Sequence, residues 1–526
     1  MKNLFSILCV LLGFVSLKAQ NEPAEFLKLR YATYAIDRFY VDSVNRTKLV
    51  EDAIEGMLKE MDPHSTYLNP EEVKEANEPL TGNFDGIGVQ FNMLNDTLFI
   101  VNTIVGGPAE EVGVRAGDRI ISVNDTVIAG VEITNKEIMN KLRGKKGSFV
   151  DIEVLRRGTP ELIEFRIERD KIPIHSIDAS YMADDNTGYI RVNRFAATTY
   201  EELLESLEEL REQGMEDLIL DLQGNGGGYL NEAINMANEC LDANQLIVYT
   251  EGLSQDRQEA YSTRRGNMKD CKLVVLVDDS SASASEIVSG AIQDLDRGVI
   301  VGRRTFGKGL VQRPIPLPDG SMMRLTVARY YTPSGRSIQK PYEGGTDNYQ
   351  KDLINRYNNG EMTSADSIHF PDSLEYTTLY NKRTVYGGGG IMPDVFIPLD
   401  TTKYSTAHTK LAAYGVINSF VTGYFDRNQK RLRKQYPTFE DFKKNFTVSQ
   451  KMLDNLLGRA KKDKLEIDPK SFESGIDMLK LQVKALIARD LFSMSHYFQI
   501  MNDADQSYIT ALEVINDDAR YNKLLQ

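Results

Sequence analysis

The chain is poor in the features that mark nucleic-acid-binding, membrane-spanning and disulfide-framed proteins. Its 62 Lys and Arg residues are outnumbered by 76 Asp and Glu, a formal net charge of −14. A phosphate-binding face needs the opposite sign, so nucleic acid is excluded as a partner. Beyond Leu17 no apolar run is long enough to cross a bilayer. Of the three cysteines, Cys9 lies in the leader, which leaves Cys240 and Cys271. They can form at most one disulfide, and a buried free thiol fits their apolar flanks equally well. The five histidines, His64, His175, His369, His408 and His496, belong to no motif near a candidate nucleophile. No cofactor and no metal are expected.

What is present is a 526-residue chain, 41% hydrophobic and 26% charged, long enough for several globular domains. Lys2, the apolar run Leu4–Leu17 and Ala19 resemble a signal peptide over 1–19. The mature protein is therefore expected to be exported, periplasmic or extracellular, and soluble after cleavage. Residues 20–81 read as helical, with Tyr31, Tyr34, Ile36 and Phe39, then Leu49, Ile54, Met57 and Leu58, spaced to face a core. Asp62-Pro63-His64-Ser65 breaks that pattern, with His64 as a turn residue. Over 82–170 short strands alternate with Gly-rich turns, and Thr134 and Glu137 have capping-box spacing. Strands and helices alternate over 171–400, an α/β pattern interrupted by a polar insertion at 341–389. Lys- and Leu-rich helical patterns fill 401–526. The expected class is α+β and multidomain.

Two strand–turn–helix units carry the candidate chemistry. The first ends its strand at Asp221-Leu222 and runs through Gln223-Gly224-Asn225-Gly226-Gly227-Gly228 into a helix near Tyr229. Glycines there let backbone amides approach a ligand, with the positive helix end behind them. The loop matches neither the dinucleotide fingerprint nor the Walker pattern, and both a phosphate loop and an oxyanion loop remain open. The second unit runs Val277-Asp278-Asp279-Ser280-Ser281-Ala282-Ser283-Ala284-Ser285-Glu286-Ile287. A nucleophile at such a strand end is exposed, and the next amide can stabilise an oxyanion. Ser283 and Glu286 equally have the spacing of a helix cap. A third segment, Gly302 to Gln312, mimics a Walker loop as far as Gly307-Lys308. Gly309 then replaces the magnesium-binding hydroxyl and the following residues look extended, so nucleotide binding is rejected.

Residues 82–170 resemble a PDZ domain of the kind found in exported proteases. The likeness rests on Gly86-Ile87-Gly88-Val89, Gly107-Pro108-Ala109, Ala116-Gly117-Asp118-Arg119-Ile120 and Val123-Asn124. It implies a peptide tail added as a strand, its carboxylate held by the amides of Gly86, Ile87, Gly88 and Val89. The run Ser281–Glu286, followed by Thr305-Phe306-Gly307-Lys308-Gly309, resembles the carboxyl-terminal processing or tail-specific proteases. That resemblance implies Ser283 as nucleophile and Lys308, 25 positions later, as general base. It further implies Gln312 as a residue that orients the lysine and Asp294 as an acidic residue in the helix after the serine. Ala284 and Gly227 would form the oxyanion hole; Gly226 stands where the family's Asn-Pro-Gly-Gly loop has proline. The likeness covers about Tyr31 to Asp394, with the insertion between Tyr331–Gln339 and Gly390–Asp394.

The implied function is a secreted or periplasmic serine endopeptidase that selects protein or peptide substrates by their C-terminal tails. A lysine base must be neutral, which requires its pKa to fall from about 10.4 toward roughly 7–8. Phe306 and Leu310 flank Lys308 and are expected to bury it. Arg143, ending the PDZ helix, is a candidate latch to the core. A homo-oligomer or an adaptor protein as partner is left open. The rival from another class is an inactive PDZ adaptor on a protease scaffold, against which the presence of both Ser283 and Lys308 counts.

Overall fold

A computed structural model describes residues 23–263 and 266–526. The expected leader 1–19, Cys9 included, lies outside the described residues. The chain divides into two compact units, residues up to Pro70 with Arg313–Leu325, and Glu71–Gln312 with Thr326–Gln526.

In the first unit, helices α1 (Ala24–Phe39) and α2 (Arg46–Lys59) precede strand β1 (Thr66–Leu68). Asn45 caps α2 by accepting from the Lys48 N–H. The apolar face of α1 does not meet a core. Tyr31 is 77% exposed and Phe39 76%, and the helix buries no residue. Periodicity identifies the apolar side of a helix but not what covers it, and among the described residues that side of α1 stays exposed. Asp62 Oδ1 accepts from the N–H groups of His64 (2.8 Å) and Ser65 (2.9 Å), so His64 sits in an Asx turn as expected.

The second unit begins with α3 (Pro70–Thr81), β2 (Asn83–Gly86), β3 (Val89–Met93), β4 (Leu98–Thr103) and β5 (Arg119–Val123). Helix α4 (Asn135–Leu142), β6 (Phe149–Leu155), β7 (Ile163–Glu168) and β8 (Asp170–Pro173) complete the PDZ domain. Its antiparallel sheet runs β3-β4-β5-β6-β7, and β2 pairs with β8. Alternating residues such as Leu98, Ile100, Val150 and Ile152 fill its core with Ile138 of α4. The expected capping box opens α4: the Thr134 N–H donates to Glu137 Oε2 at 2.8 Å, and the Glu137 N–H to Thr134 Oγ1 at 3.3 Å.

Next come β9 (Ile177–Met182), β10 (Thr187–Val192), α5 (Thr199–Glu212), β11 (Asp217–Asp221), α6 (Leu230–Cys240), β12 (Leu246–Gly252) and β13 (Gln255–Tyr261). They are followed by β14 (Leu273–Val277), α7 (Ala284–Asp294), β15 (Val299–Gly302), β16 (Leu310–Pro316), β17 (Met322–Tyr331), α8 (Asp352–Asn358) and β18 (Val395–Phe396). The central sheet has the order β9-β10-β11-β14-β15-β18, parallel except for β9. Strands β11 and β14 read as unbroken apolar runs because both their faces are buried. One face packs on α5, α6 and α7 through residues such as Leu203, Met236 and Ile287. Cys240 and Cys271 are free thiols, and burial pushes Cys240 up to about 12.

The C-terminal helices include α9 (Val416–Gln435), α10 (Ile476–Leu491), α11 (Gln506–Ile515) and α12 (Asp518–Leu524). Much of this segment has its own core, with Phe420, Phe442, Leu456 and Val483 buried. Helices α11 and α12 cover the second face of the central sheet, where Ala511, Val514 and Tyr521 meet Tyr189, Ile219, Val274 and Val299. The Tyr521 hydroxyl accepts from the Leu273 N–H at 2.9 Å. Helix α9 also grips the PDZ domain: Asp426 pairs with Arg119 at 2.7 Å and Thr422 Oγ1 accepts from Asn92 Nδ2 at 2.9 Å.

Candidate active site

Strands β11 and β14 are parallel neighbours, with Asp221 opposite Leu276, so the two loops leave the sheet side by side at its carboxyl edge. Ser283 occupies the turn into α7 with φ +56° and ψ −111°, a backbone state that costs a non-glycine residue of order 1–3 kcal/mol and clusters at functional sites. Its neighbours hold the turn. The buried Ser281 hydroxyl donates to the Leu222 carbonyl at 2.8 Å, and the buried Ser285 hydroxyl to the Asn225 carbonyl at 2.9 Å. Among the three serines only Ser283 is partly exposed. Gly227 lies against it: at φ +102°, a Cβ there would come within 2.8 Å of Ser283 Cβ and 2.9 Å of the Ala282 carbonyl oxygen. The Gly227 N–H donates to Asn225 Oδ1 at 2.9 Å, whereas no described hydrogen bond takes the N–H of Ala284.

Lys308 is half-buried on a stretch without regular structure, yet the backbone around it is fully engaged. Thr305 donates to the Ile391 carbonyl (3.1 Å) and Phe306 to the Ser281 carbonyl (3.0 Å). The Thr305 and Phe306 carbonyls accept from Arg356 Nη1 (2.8 Å) and Nη2 (3.1 Å). The Gly307 carbonyl accepts from the Lys340 N–H (3.0 Å) and that of Gly309 from the Tyr330 N–H (3.0 Å). The Gly309 N–H donates to Gln339 Oε1 (2.8 Å), and the Lys308 carbonyl accepts from the Tyr330 hydroxyl. The remaining N–H groups, of Gly307 and Lys308, go to Glu286.

Glu286 joins the two halves of the site. Its fully buried carboxylate accepts from Thr305 Oγ1 (2.5 Å) and the Gly307 N–H (2.7 Å) on Oε1, and from the N–H groups of Lys308 (2.9 Å) and Ser283 (2.8 Å) on Oε2. Burial pushes this carboxyl above its ordinary range while the four donors pull it down. Only the ionised form accepts from all four. The Tyr330 hydroxyl makes a second link, meeting the Ser283 carbonyl at 3.1 Å as well as that of Lys308. Sequence spacing assigned Glu286 to a cap alone, and Tyr330 carried no local signal.

The other expected residues are placed as follows. Gln312 Nε2 donates to the Leu310 carbonyl (3.3 Å) and Thr326 Oγ1 (3.4 Å). Asp294 is not brought to Ser283. It ends α7, ten residues past Ala284, which at 1.5 Å per residue is about 15 Å away. There it is fully buried against Arg336 at 2.7 Å and accepts from the Ser334 N–H at 2.9 Å. Leu310 is buried as expected, but the Phe306 ring packs under Lys340, whose Nζ is 3.8 Å from the ring centre. Of the histidines, His175 lies near Glu202, His408 bonds Gln482, and His496 packs on Phe439 and Phe492.

In the PDZ domain, Gly86, Ile87, Gly88 and Val89 border a groove of about 320 Å³, closed by Phe84, Met139, Leu142 and Arg143. Strand β3 is an edge strand and can accept another strand. The Ile87 and Gly88 carbonyls are taken by the N–H groups of Ala109 and Ile104, both at 2.9 Å. Arg143, at the groove's rim, lies 4.4 Å over the Phe84 ring and bonds Glu78 of α3.

A model described as peptidase family S41 matches residues 186–349, a PDZ model 86–167, and the N-terminal domain of the activating protease CtpB 15–72. A family of unknown function matches 407–493. The carboxy-terminal processing protease CtpA of Bacillus subtilis (strain 168) is 36% identical over 323 residues, 61% of this chain and 68% of its own. CtpB of the same strain is 35% identical over 316 residues, 60% of this chain and 65% of its own, so the matched part spans about two thirds of these relatives. Among solved structures, a photosystem II D1 C-terminal processing protease is 30% identical, covering 60% of this chain and 91% of that one, with a TM-score of 0.34.

Proposed function

The chain belongs to the carboxy-terminal processing protease family, and on that premise we propose that it is an exported serine endopeptidase that cleaves peptide bonds with Ser283 and Lys308. The observation that carries this reading is the single Glu286 carboxylate that accepts from the N–H groups of both residues, at 2.8 and 2.9 Å. One buried anion thereby ties the nucleophile turn to the base loop.

In this mechanism neutral Lys308 takes the Ser283 proton as Oγ attacks the scissile carbonyl. The Ala284 N–H, at the start of α7, stabilises the oxyanion. Gly227 provides the second donor when its N–H leaves Asn225 Oδ1 for the oxyanion. The lysine ammonium then protonates the departing amine, and water hydrolyses the acyl-enzyme. Gln312, four residues beyond Lys308, orients the amine. Substrate tails dock along β3 with their carboxylate at the Gly86–Val89 amides, as the exposed edge strand and adjoining groove support. No helix among the described residues is long and apolar enough to cross a membrane.

The test compares cleavage of an unstructured protein by the wild-type chain and Ser283→Ala. Loss of cleavage in the variant supports the reading. A wild-type chain that binds the protein without cutting it would instead be the PDZ adaptor.

A further inference from the structure

We propose that the 341–389 insertion holds the catalytic base in place, with Arg356 as a positioning residue for the loop that carries Lys308. The inference rests on the Ser283–Lys308 reading and extends it to a segment whose sequence shows no chemistry.

Arg356 lies in α8 and is 3% exposed. Its two terminal nitrogens donate to consecutive carbonyls, those of Thr305 and Phe306, three and two residues before the base. The planar guanidinium spans such a pair because its N–H groups diverge in a fixed fork. A second side chain of the same helix braces the fork, since Asp352 Oδ2 lies 2.9 Å from Arg356 Nε. The same oxygen is 3.0 Å from Lys340 Nζ. Lys340 closes the clamp in two ways. Its backbone N–H donates to the Gly307 carbonyl, and its ammonium sits between the rings of Phe306 (3.8 Å) and Tyr349 (4.1 Å). Tyr349 also belongs to the insertion and meets the Phe306 ring edge-on at 6.0 Å.

These contacts divide the labour around the loop. The core, through Glu286, Ser281, Ile391 and Tyr330, takes every N–H from Thr305 to Lys308 and the carbonyls of Lys308 and Gly309. The carbonyls of Thr305 and Phe306 are left to the insertion. Thr305 is fully buried, so removing Arg356 leaves its carbonyl without a donor in a place closed to water. The stretch must then shift to recover a partner, and Lys308 shifts with it. A displacement of about 1 Å in a catalytic group costs on the order of 10²-fold in rate.

The experiment uses the full chain with a quenched peptide substrate. Arg356→Met is expected to lower kcat about 10²-fold at unchanged KM. Arg356→Lys, which reaches one carbonyl at a time, should recover part of that loss. Hydrogen exchange should rise in the 303–311 segment while α7 stays protected. Ile354→Ala, on the exposed side of α8, should match wild type. If Arg356→Met does not fold, Asp352→Asn carries the same expectations on a smaller scale. Arg356 variants with kcat within twofold of wild type, or with losses accompanied by exchange throughout the core, would overturn the inference. If Ser283→Ala cleaves like wild type, the dyad reading fails first and the inference with it.

Discussion

Glu286→Gln changes one atom's chemistry and almost nothing in shape, so its effect can be worked from the four bonds described. The carboxylate holds two donors on each oxygen. With the new NH2 in place of Oε2, the N–H groups of Ser283 and Lys308 both face a donor. With it in place of Oε1, the Gly307 N–H faces a donor, and the Thr305 hydroxyl can accept from the NH2, beside the Ile391 N–H it already accepts from, only by giving up its own acceptor. The second arrangement is cheaper and leaves one buried backbone donor orphaned, at ~1–3 kcal/mol. The bonds from Ser283 and Lys308 become neutral, which loses ~1 kcal/mol each. Relief of a buried charge, which pushes this carboxyl up, offsets part of that loss. The three lost contributions sum to ~3–5 kcal/mol, which is the upper bound on the net loss. Urea unfolding in a Ser283→Ala background, which cannot digest itself, measures it. In the active background kcat/KM should fall by about 10²-fold, because Gly307 precedes the base directly. Peptide binding to the PDZ groove should not change. A variant that loses under 1 kcal/mol and keeps kcat/KM within twofold would refute the assignment of Glu286 as the tie between the two loops.

Four further outcomes are expected. Lys308→Arg should be inactive at every usable pH, since a guanidinium cannot accept the serine proton; wild-type kcat/KM should rise with pH as the amine loses its proton, and an active Lys308→Arg enzyme would end the dyad mechanism. In a Ser283→Ala chain, amidating the C-terminus of a test peptide should weaken binding measured by fluorescence anisotropy; equal affinity for acid and amide would mean the Gly86–Val89 loop does not read carboxylates. Asp294→Asn should cost ~3–5 kcal/mol in chemical unfolding by stranding buried Arg336, yet leave kcat/KM within about twofold while folded; a selective loss of rate would restore a catalytic role. Thr134→Ala should destabilise by ~1 kcal/mol. Glu137 is held below its ordinary value by the Thr134 hydroxyl and N–H, so the wild-type box stabilises above the ordinary carboxylate range. That part of the benefit is lost as pH falls through Glu137's lowered value, so the stability gap between the two proteins should narrow in acid, leaving the bond from the Glu137 N–H to Thr134 Oγ1.

The parts legible in the sequence are those written over short spans. Strands β11 and β14 announce themselves as apolar runs between turn residues, and the serine and lysine stand in compact motifs. The glycine loop is legible because a side chain at Gly227 would collide with Ser283. What escaped depends on contacts between distant positions. Ser-x-x-Glu spacing discloses one of the four bonds Glu286 makes. Tyr330 and Arg356 reach the base loop across 22 and 50 positions respectively, and no local pattern encodes such reach. Asp294 was found by its motif, but the rise of the helix carries it away from the nucleophile. The α1 aromatics have core spacing but no core among the described residues, since periodicity does not specify a second layer.

The covering of the central sheet by α11 and α12 sets a condition on biosynthesis. Translation delivers the serine, the base and all six strands well before Gln506–Leu524, which trail Lys308 by roughly 200 residues. At the ~5–20 residues per second of a ribosome, that interval is ~10–40 s. Throughout it Tyr189, Ile219, Val274 and Val299 lack the layer that buries them. A nascent chain thus carries Ser283 and Lys308 on an unroofed sheet. The sheet gains its second covered face only when α11 and α12 pack on it.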